Sequence, residues 1–202
     1  MGGKMNPSTG NGTIHRREFV RRLISACPDV LIVSGLGSST YDVFSAGDRP
    51  ENFYLWGAMG GAAAVGLGLA IAQPNRSVLV ITGDGEQLMG LGSLCTIGAQ
   101  KPKNLNLVVI DNGHYGETGM QLSHTSLGTD LAAVARACSI TRVEEITDIA
   151  QVSNLANKIN TRETTLFAQV FVGTDELSRT LPSRDGVHIK NRFRGVFGLQ
   201  PI

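Results

Sequence analysis

Two segments decide the fold: SVLVITGDGEQLMG at residues 77–90 and NLNLVVIDNGHYG at residues 104–116. Each begins with an apolar run rich in Val, Ile and Leu, which is the signature of a strand buried on both faces. Each run stops abruptly at a short polar turn, Gly83-Asp84-Gly85 in the first and Asp111-Asn112-Gly113 in the second. A helical stretch at 88–100 separates them, so the pair reads as one strand–helix–strand unit with its two polar turns at the same end.

The same alternation extends in both directions. Residues 15–27 predict a helix, with Phe19, Val20, Leu23 and Ile24 at helical spacing, and Pro28-Asp29 ends it. Val30-Leu31-Ile32-Val33 reads as a buried strand running into the glycine-rich loop 34–39. A short strand is expected at 52–56 and a helix of small residues at 59–72. Helices at 131–137 and 149–160 and a strand at 165–172 complete the pattern. Strands that are apolar throughout and alternate with helices imply an α/β fold, a doubly wound parallel sheet with helices on both faces. In such sheets ligands bind at the carboxyl ends of the strands. The turns after Val33, Thr82 and Ile110 are therefore the places to look for chemistry.

The 202 residues suit one sizeable domain, expected over 15–185, with a flexible tail at 1–14 and a basic tail at 186–202. The tail segment Ile189-Lys190-Asn191-Arg192-Phe193-Arg194 carries basic residues able to meet an anion, and also reads as a solvated charged end. Acids and bases nearly cancel, at a formal net charge of +1, and no long basic run exists. Nucleic acid is thus not an expected partner. The apolar run at 58–72 is too short and too small-chained for a membrane span. Cys27, Cys95 and Cys138 form no CxxC pair, which argues against zinc or an iron–sulfur cluster and fits buried thiols in a reducing cytoplasm.

A carboxylate between two glycines at a strand end can reach a hard cation, and the glycines free backbone N–H groups for an anion at the following helix N-terminus. The same tripeptide also serves as a plain strand-to-helix turn. Asn112 lies 28 positions after Asp84, at the end of the next predicted strand, so the two can stand side by side. A carboxylate, an amide oxygen, a backbone carbonyl and phosphate oxygens make the all-oxygen shell that Mg²⁺ prefers.

This pattern resembles the motif of thiamine-diphosphate enzymes, GDG followed after some 25–30 residues by NN, with Asp111 standing where the first Asn is usual. The resemblance implies that Asp84 and Asn112 bind Mg²⁺ together with the main-chain carbonyl of His114. It implies that Gly83 belongs to the same turn and that Gly85 and Glu86 offer N–H groups to the diphosphate. Ser38 falls where the family often places a hydroxyl on a phosphate. Trp56-Gly57-Ala58-Met59-Gly60 resembles the segment that holds the cofactor bent, with Met59 as the apolar wedge and the Gly57 carbonyl on the pyrimidine amino group. Tyr115-Gly116 resembles the family's YG, which packs on the cofactor. His114 departs from the small residue many relatives have and is a candidate proton donor. His124 is a candidate for substrate contact, and Glu117 and Thr118 for the cleft.

The segments GAMGGAAAVGLGLAIA, GDGEQLMGLGSLCTIG and IDNGHYGETG, with the 131–137 helix, are similar to the β subunit of sulfopyruvate decarboxylase and the matching half of phosphonopyruvate decarboxylase. The resemblance covers roughly residues 15–175 and lies within the diphosphate-binding domain. It implies a partner chain with the pyrimidine-binding domain, which supplies the activating Glu, and a small 2-oxoacid substrate. Acetolactate synthase-like carboligation and a non-catalytic cofactor-binding module are the alternative readings.

Overall fold

The computed structural model describes residues 12–55 and 57–202. Its elements follow the chain as α1 (Arg16–Ala26), β1 (Leu31–Ser34), α2 (Ser38–Ser45), β2 (Asn52–Tyr54), α3 (Ala62–Ala72), β3 (Val78–Gly83), α4 (Asp84–Met89), α5 (Ser93–Gln100) and β4 (Leu105–Asp111). A small hairpin, β5 (His114–Tyr115) and β6 (Gln121–Leu122), comes next. It is followed by α6 (Leu131–Ala137), β7 (Arg142–Ile146), α7 (Val152–Thr161), β8 (Leu166–Phe171) and α8 (Gly186–Gly195).

Six strands form one sheet in the order β2-β1-β3-β4-β8-β7, and every pairing is parallel. Successive residues of a strand face opposite sides. Leu79 and Ile81 therefore join the core under α1 and α7, while Val78 and Val80 join the core under α3 and α5. The strand order reverses between β1 and β3, which opens the crevice where doubly wound sheets hold their ligands. Helix α3 earns its small residues: a Cβ at Gly66 would stand 2.2 Å from Val80 Cγ2, so only glycine lets it sit this close to β3.

The departures from the expected elements have local causes. The helix expected over 59–72 begins only at Ala62, because Gly60 has φ +84°. The helix expected over 88–100 is two helices, since the chain turns at Gly90, where a Cβ would lie 2.1 Å from the Gly60 carbonyl oxygen. The loop expected at 34–39 ends in α2, whose Asp42 receives Arg16 at 2.6 Å and Arg17 at 3.0 Å. Strand β7 (RVEEI) has no apolar run to reveal it. It is an edge strand whose Glu144 and Glu145 pair with Lys158 and Arg136.

The two expected tails fare differently. Residues 1–11 lie outside the described residues, as does Trp56, but Ile14 is buried and bridges to Val172. The segment read as a basic tail contains α8, which buries Ile189 and Phe193 against the edge strand β2. Arg192 there bonds Asp48 at 2.6 Å and the Asn52 carbonyl at 3.0 Å, so its charge serves the fold. Among the described residues no helix is long and apolar enough to cross a membrane.

Candidate cofactor site at the carboxyl end of the sheet

The register of β3 on β4 sets Gly83 beside Ile110, so Asp84 and Asp111 leave the sheet as neighbours. Both are buried, at 3% and 4% exposure. Two hydroxyls from beyond the β5–β6 hairpin tie them together. Ser123 donates to Asp84 Oδ2 at 2.5 Å and Thr125 donates to Asp111 Oδ1 at 2.9 Å, with the two hydroxyl oxygens 2.8 Å apart. Gln169 on β8 donates to the other Asp111 oxygen at 2.7 Å, and its own carbonyl receives the Ala132 N–H at the start of α6.

Two hydroxyl protons cannot serve all three short oxygen contacts, so the cluster is completed by one further proton on a carboxyl of the pair. Burial, then the Asp111 charge, pushes the Asp84 carboxyl up to about 7, against the pull of Ser123. Adjacent buried carboxylates are costly unless a positive charge meets them.

The second turn is built to help. Gly113 takes φ +68°, and the His114 N–H bonds Asn112 Oδ1 at 3.0 Å, which holds the amide oxygen at the strand end. His114 Nδ1 lies 2.8 Å from the Asn112 carbonyl. A carbonyl only accepts, so Nδ1 carries the proton and Nε2 is left as an acceptor. In the hairpin, Ser123 N–H bonds the Gly113 carbonyl at 2.8 Å, which makes the next pair, His114 and Leu122, a non-hydrogen-bonded one. The His114 carbonyl therefore points away from β6. The Asp84 carboxylate, the Asn112 amide oxygen and the His114 carbonyl are hard oxygen donors of the kind a magnesium ion takes. Among the described residues no group of three His, Cys, Asp or Glu side chains offers a softer site. The residues present fit a divalent cation shared with a phosphate.

These groups face a cavity of about 200 Å³. Ser38, Met59, Gly83, Gly85, Tyr115 and Gly116 lie on its wall, as does Glu86. A Cβ at Gly85 would meet the Tyr115 ring at 2.7 Å and come within 3.9 Å of the Met59 methyl, so Tyr115 and Met59 stand over that glycine. Met59 is 42% exposed, which rules out the plain core role a methionine usually has. Gly57 has φ +72° in the turn before Met59 and is not on the wall. The Tyr115 hydroxyl bonds His124 at 2.5 Å, so His124 supports the wall from behind.

Sequence reasoning missed three contributions. The Glu86 side chain, and not only its backbone, is at work. It accepts from the Leu36 N–H at 3.0 Å and from Thr82 at 2.8 Å, so it ties the β1 loop to the β3 turn. A Cβ on Gly35 would collide with that carboxylate, at 1.6 Å. Among the described residues, Arg16 supplies the only Lys or Arg side chain on the cavity wall, and it also bonds the Ser38 carbonyl at 3.3 Å. The Ser123–Thr125–Gln169 scaffold carries the carboxylate pair. Of these, only the Asp111 departure from the usual Asn hinted at a changed partner, which is the donating amide of Gln169.

The family model for the C-terminal TPP-binding domain of thiamine pyrophosphate enzymes matches residues 36–168. The chain belongs to that family. Within it, the chain is 47% identical to the sulfopyruvate decarboxylase subunit β of Methanocaldococcus jannaschii over 110 residues, 54% of this chain and 58% of that protein. It is 44% identical to the phosphonopyruvate decarboxylase of Streptomyces viridochromogenes over 149 residues, 73% of this chain and 37% of that protein. The chain thus spans little more than half of the first relative and about a third of the second. Among solved structures, the fold matches the 2-oxoglutarate:ferredoxin oxidoreductase of Magnetococcus marinus, with TM-score 0.64 at 17% identity, over 96% of this chain and 78% of that one. That structure and the doubly wound sheet agree on architecture, as the sequence pattern led one to expect.

Proposed function

We propose that this chain is the β subunit of a thiamine-diphosphate- and Mg²⁺-dependent decarboxylase acting on a small 2-oxoacid with a sulfonate or phosphonate group. The observation that carries the reading is the buried Asp84–Asp111 pair, set beside Asn112 at the mouth of a cavity in the crevice of the sheet. The names of the relatives support the substrate class and the subunit type.

In this reading Asp84, Asn112 and the His114 carbonyl would hold the metal, which would supply positive charge for a diphosphate. Ser38 and the N–H groups of Gly85 and Glu86 take the remaining phosphate oxygens at the start of α4. Arg16, fixed by Asp42, adds a positive charge on the same wall. Met59 and Tyr115 supply apolar surface for the rings, with Gly57 in the turn that presents Met59, and Gly116 closes the wall. Thiamine diphosphate, when bound, supplies the electron sink that lets a carboxylate leave as CO₂. Gly85 leaves room beneath the Tyr115 ring and the Met59 methyl, which stand over it. His114 Nε2 can accept a proton and return it at the cavity face.

A partner subunit with a pyrimidine-binding domain supplies the activating Glu and covers Met59, Met89 and Met120, which are exposed here. The three free thiols suit a reducing, cytoplasmic setting.

The test is release of CO₂ from sulfopyruvate and from phosphonopyruvate by the chain co-purified with its partner. The assay contains thiamine diphosphate and Mg²⁺, with no added acceptor. CO₂ and aldehyde in equal amounts support the reading. Turnover only in the presence of an acceptor oxoacid replaces it with carboligation.

A further inference from the structure

Away from the cavity, the two helices α5 and α6 meet at a point that no sequence motif marks. Cys95 and Gly98 lie three positions apart on α5 and so share a face. A Cβ at Gly98 would stand 1.6 Å from the Cys138 carbonyl oxygen, so this glycine lets the end of α6 press directly onto α5. Cys138 is the C-cap of α6, and the close approach brings its Sγ to 3.5 Å from Cys95 Sγ. The two residues are 43 positions apart in sequence, and neither has a disulfide. They lie in a shallow surface groove with Lys101 and Ser139, and none of these residues lines the cofactor cavity. Cys95 is exposed and Cys138 half-exposed, whereas Cys27 is fully buried with its thiol against the Ala156 carbonyl.

We propose that Cys95 and Cys138 form a peroxide-reactive dithiol, a covalent modification site that closes to an intramolecular disulfide. The oxidant is a peroxide. The exposed Cys95 thiolate attacks one peroxide oxygen, the O–O bond breaks, and Cys95 becomes a sulfenic acid as the other oxygen leaves as water. The Cys138 sulfur then attacks Cys95 Sγ and expels the sulfenic oxygen as a second water. Two thiols and one H₂O₂ give one disulfide and two waters. Closing the bond moves the sulfurs together from 3.5 Å to about 2 Å. Side-chain rotation at an exposed and a half-exposed residue supplies that shift. The product pins α5, which continues from the cofactor-binding α4, to the end of α6.

The test is stoichiometric hydrogen peroxide added to the full chain, followed by alkylation in denaturant and peptide mapping. The expected result is a Cys95–Cys138 linked peptide two hydrogens lighter than the thiol pair, reversed by dithiothreitol, with Cys27 alkylated in full. The pair should be lost at least ten times faster than Cys27. In Cys138→Ser, Cys95 should stall as a sulfenic acid that dimedone traps, with no linked peptide. The proposal is overturned if Cys95 over-oxidises or links to a second chain in the unsubstituted protein, or if both thiols survive the treatment.

Discussion

Strands β3 and β4 have two ends that obey different rules. Along 78–82 and 105–110 every side chain is buried, all but Thr82 and Asn106 are apolar, and the two strands pair in parallel along their length. Just beyond, at the first residue of α4 and the last of β4, stand Asp84 and Asp111, two buried carboxylates beside each other with too few protons. The first region is apolar and closely packed apart from Asn106, whose amide nitrogen donates to Ser77 and to the Val78 carbonyl. The second is held against its own electrostatics by Ser123, Thr125 and Gln169. Local conflict of this kind marks a place shaped for something besides stability.

The largest way to break the comparison is at the apolar end. Leu79 is fully buried in the core under α1 and α7. Leu79→Ala should cost about 3 kcal/mol in urea unfolding, with cofactor affinity unchanged at temperatures where the protein is folded. At the other end, Gly85→Ala puts a methyl 2.7 Å from the Tyr115 ring. The ring must move, so stability should fall by about 1–2 kcal/mol while thiamine-diphosphate affinity falls more than tenfold. An unchanged affinity would remove Tyr115 and Gly85 from the site. Arg16→Lys keeps a cation against Asp42 but loses the planar fork. It should weaken thiamine diphosphate by about tenfold, or about 1.4 kcal/mol, in calorimetry, and leave thiamine monophosphate nearly unaffected.

The subtlest effect sharpens the comparison through pH. Burial and Asp111 raise the folded-state Asp84 pKa from 3.8 to about 7. Between those values the folded protein binds more protons than the unfolded chain, so this group's contribution to stability falls as pH rises. In metal-free protein, Asp84→Asn should therefore gain on the unsubstituted chain as pH goes from 4.5 to 7.5, read as a difference in Tm. A constant difference would mean that the carboxylates do not oppose each other.

The sheet was legible because its central strands are apolar runs with abrupt polar ends, a pattern that burial on both faces imposes. The edge strand β7 was not legible, because an exposed edge tolerates Arg142, Glu144 and Glu145 and so hides its period. Helix α2 was hidden for a related reason. Its sequence SSTYDVFS has weak helix propensity, and tertiary bonds from Arg16 and Arg17 hold it. In the site, Asp84 and Asn112 could be paired from spacing, since one strand–helix–strand unit fixes their distance along the chain. Arg16, the Ser123–Thr125 segment and Gln169 come from three other places in the sequence, and only the fold brings Ser123, Thr125 and Gln169 to the carboxylate pair and Arg16 to the cavity wall.

The most direct test of the central claim is calorimetric titration of thiamine diphosphate into the purified chain with and without Mg²⁺, alongside Asp84→Ala. Binding should require Mg²⁺ and weaken at least a hundredfold in the variant, while the metal-free variant is no less stable than its parent. Binding that is indifferent to Mg²⁺ and to Asp84 would contradict it.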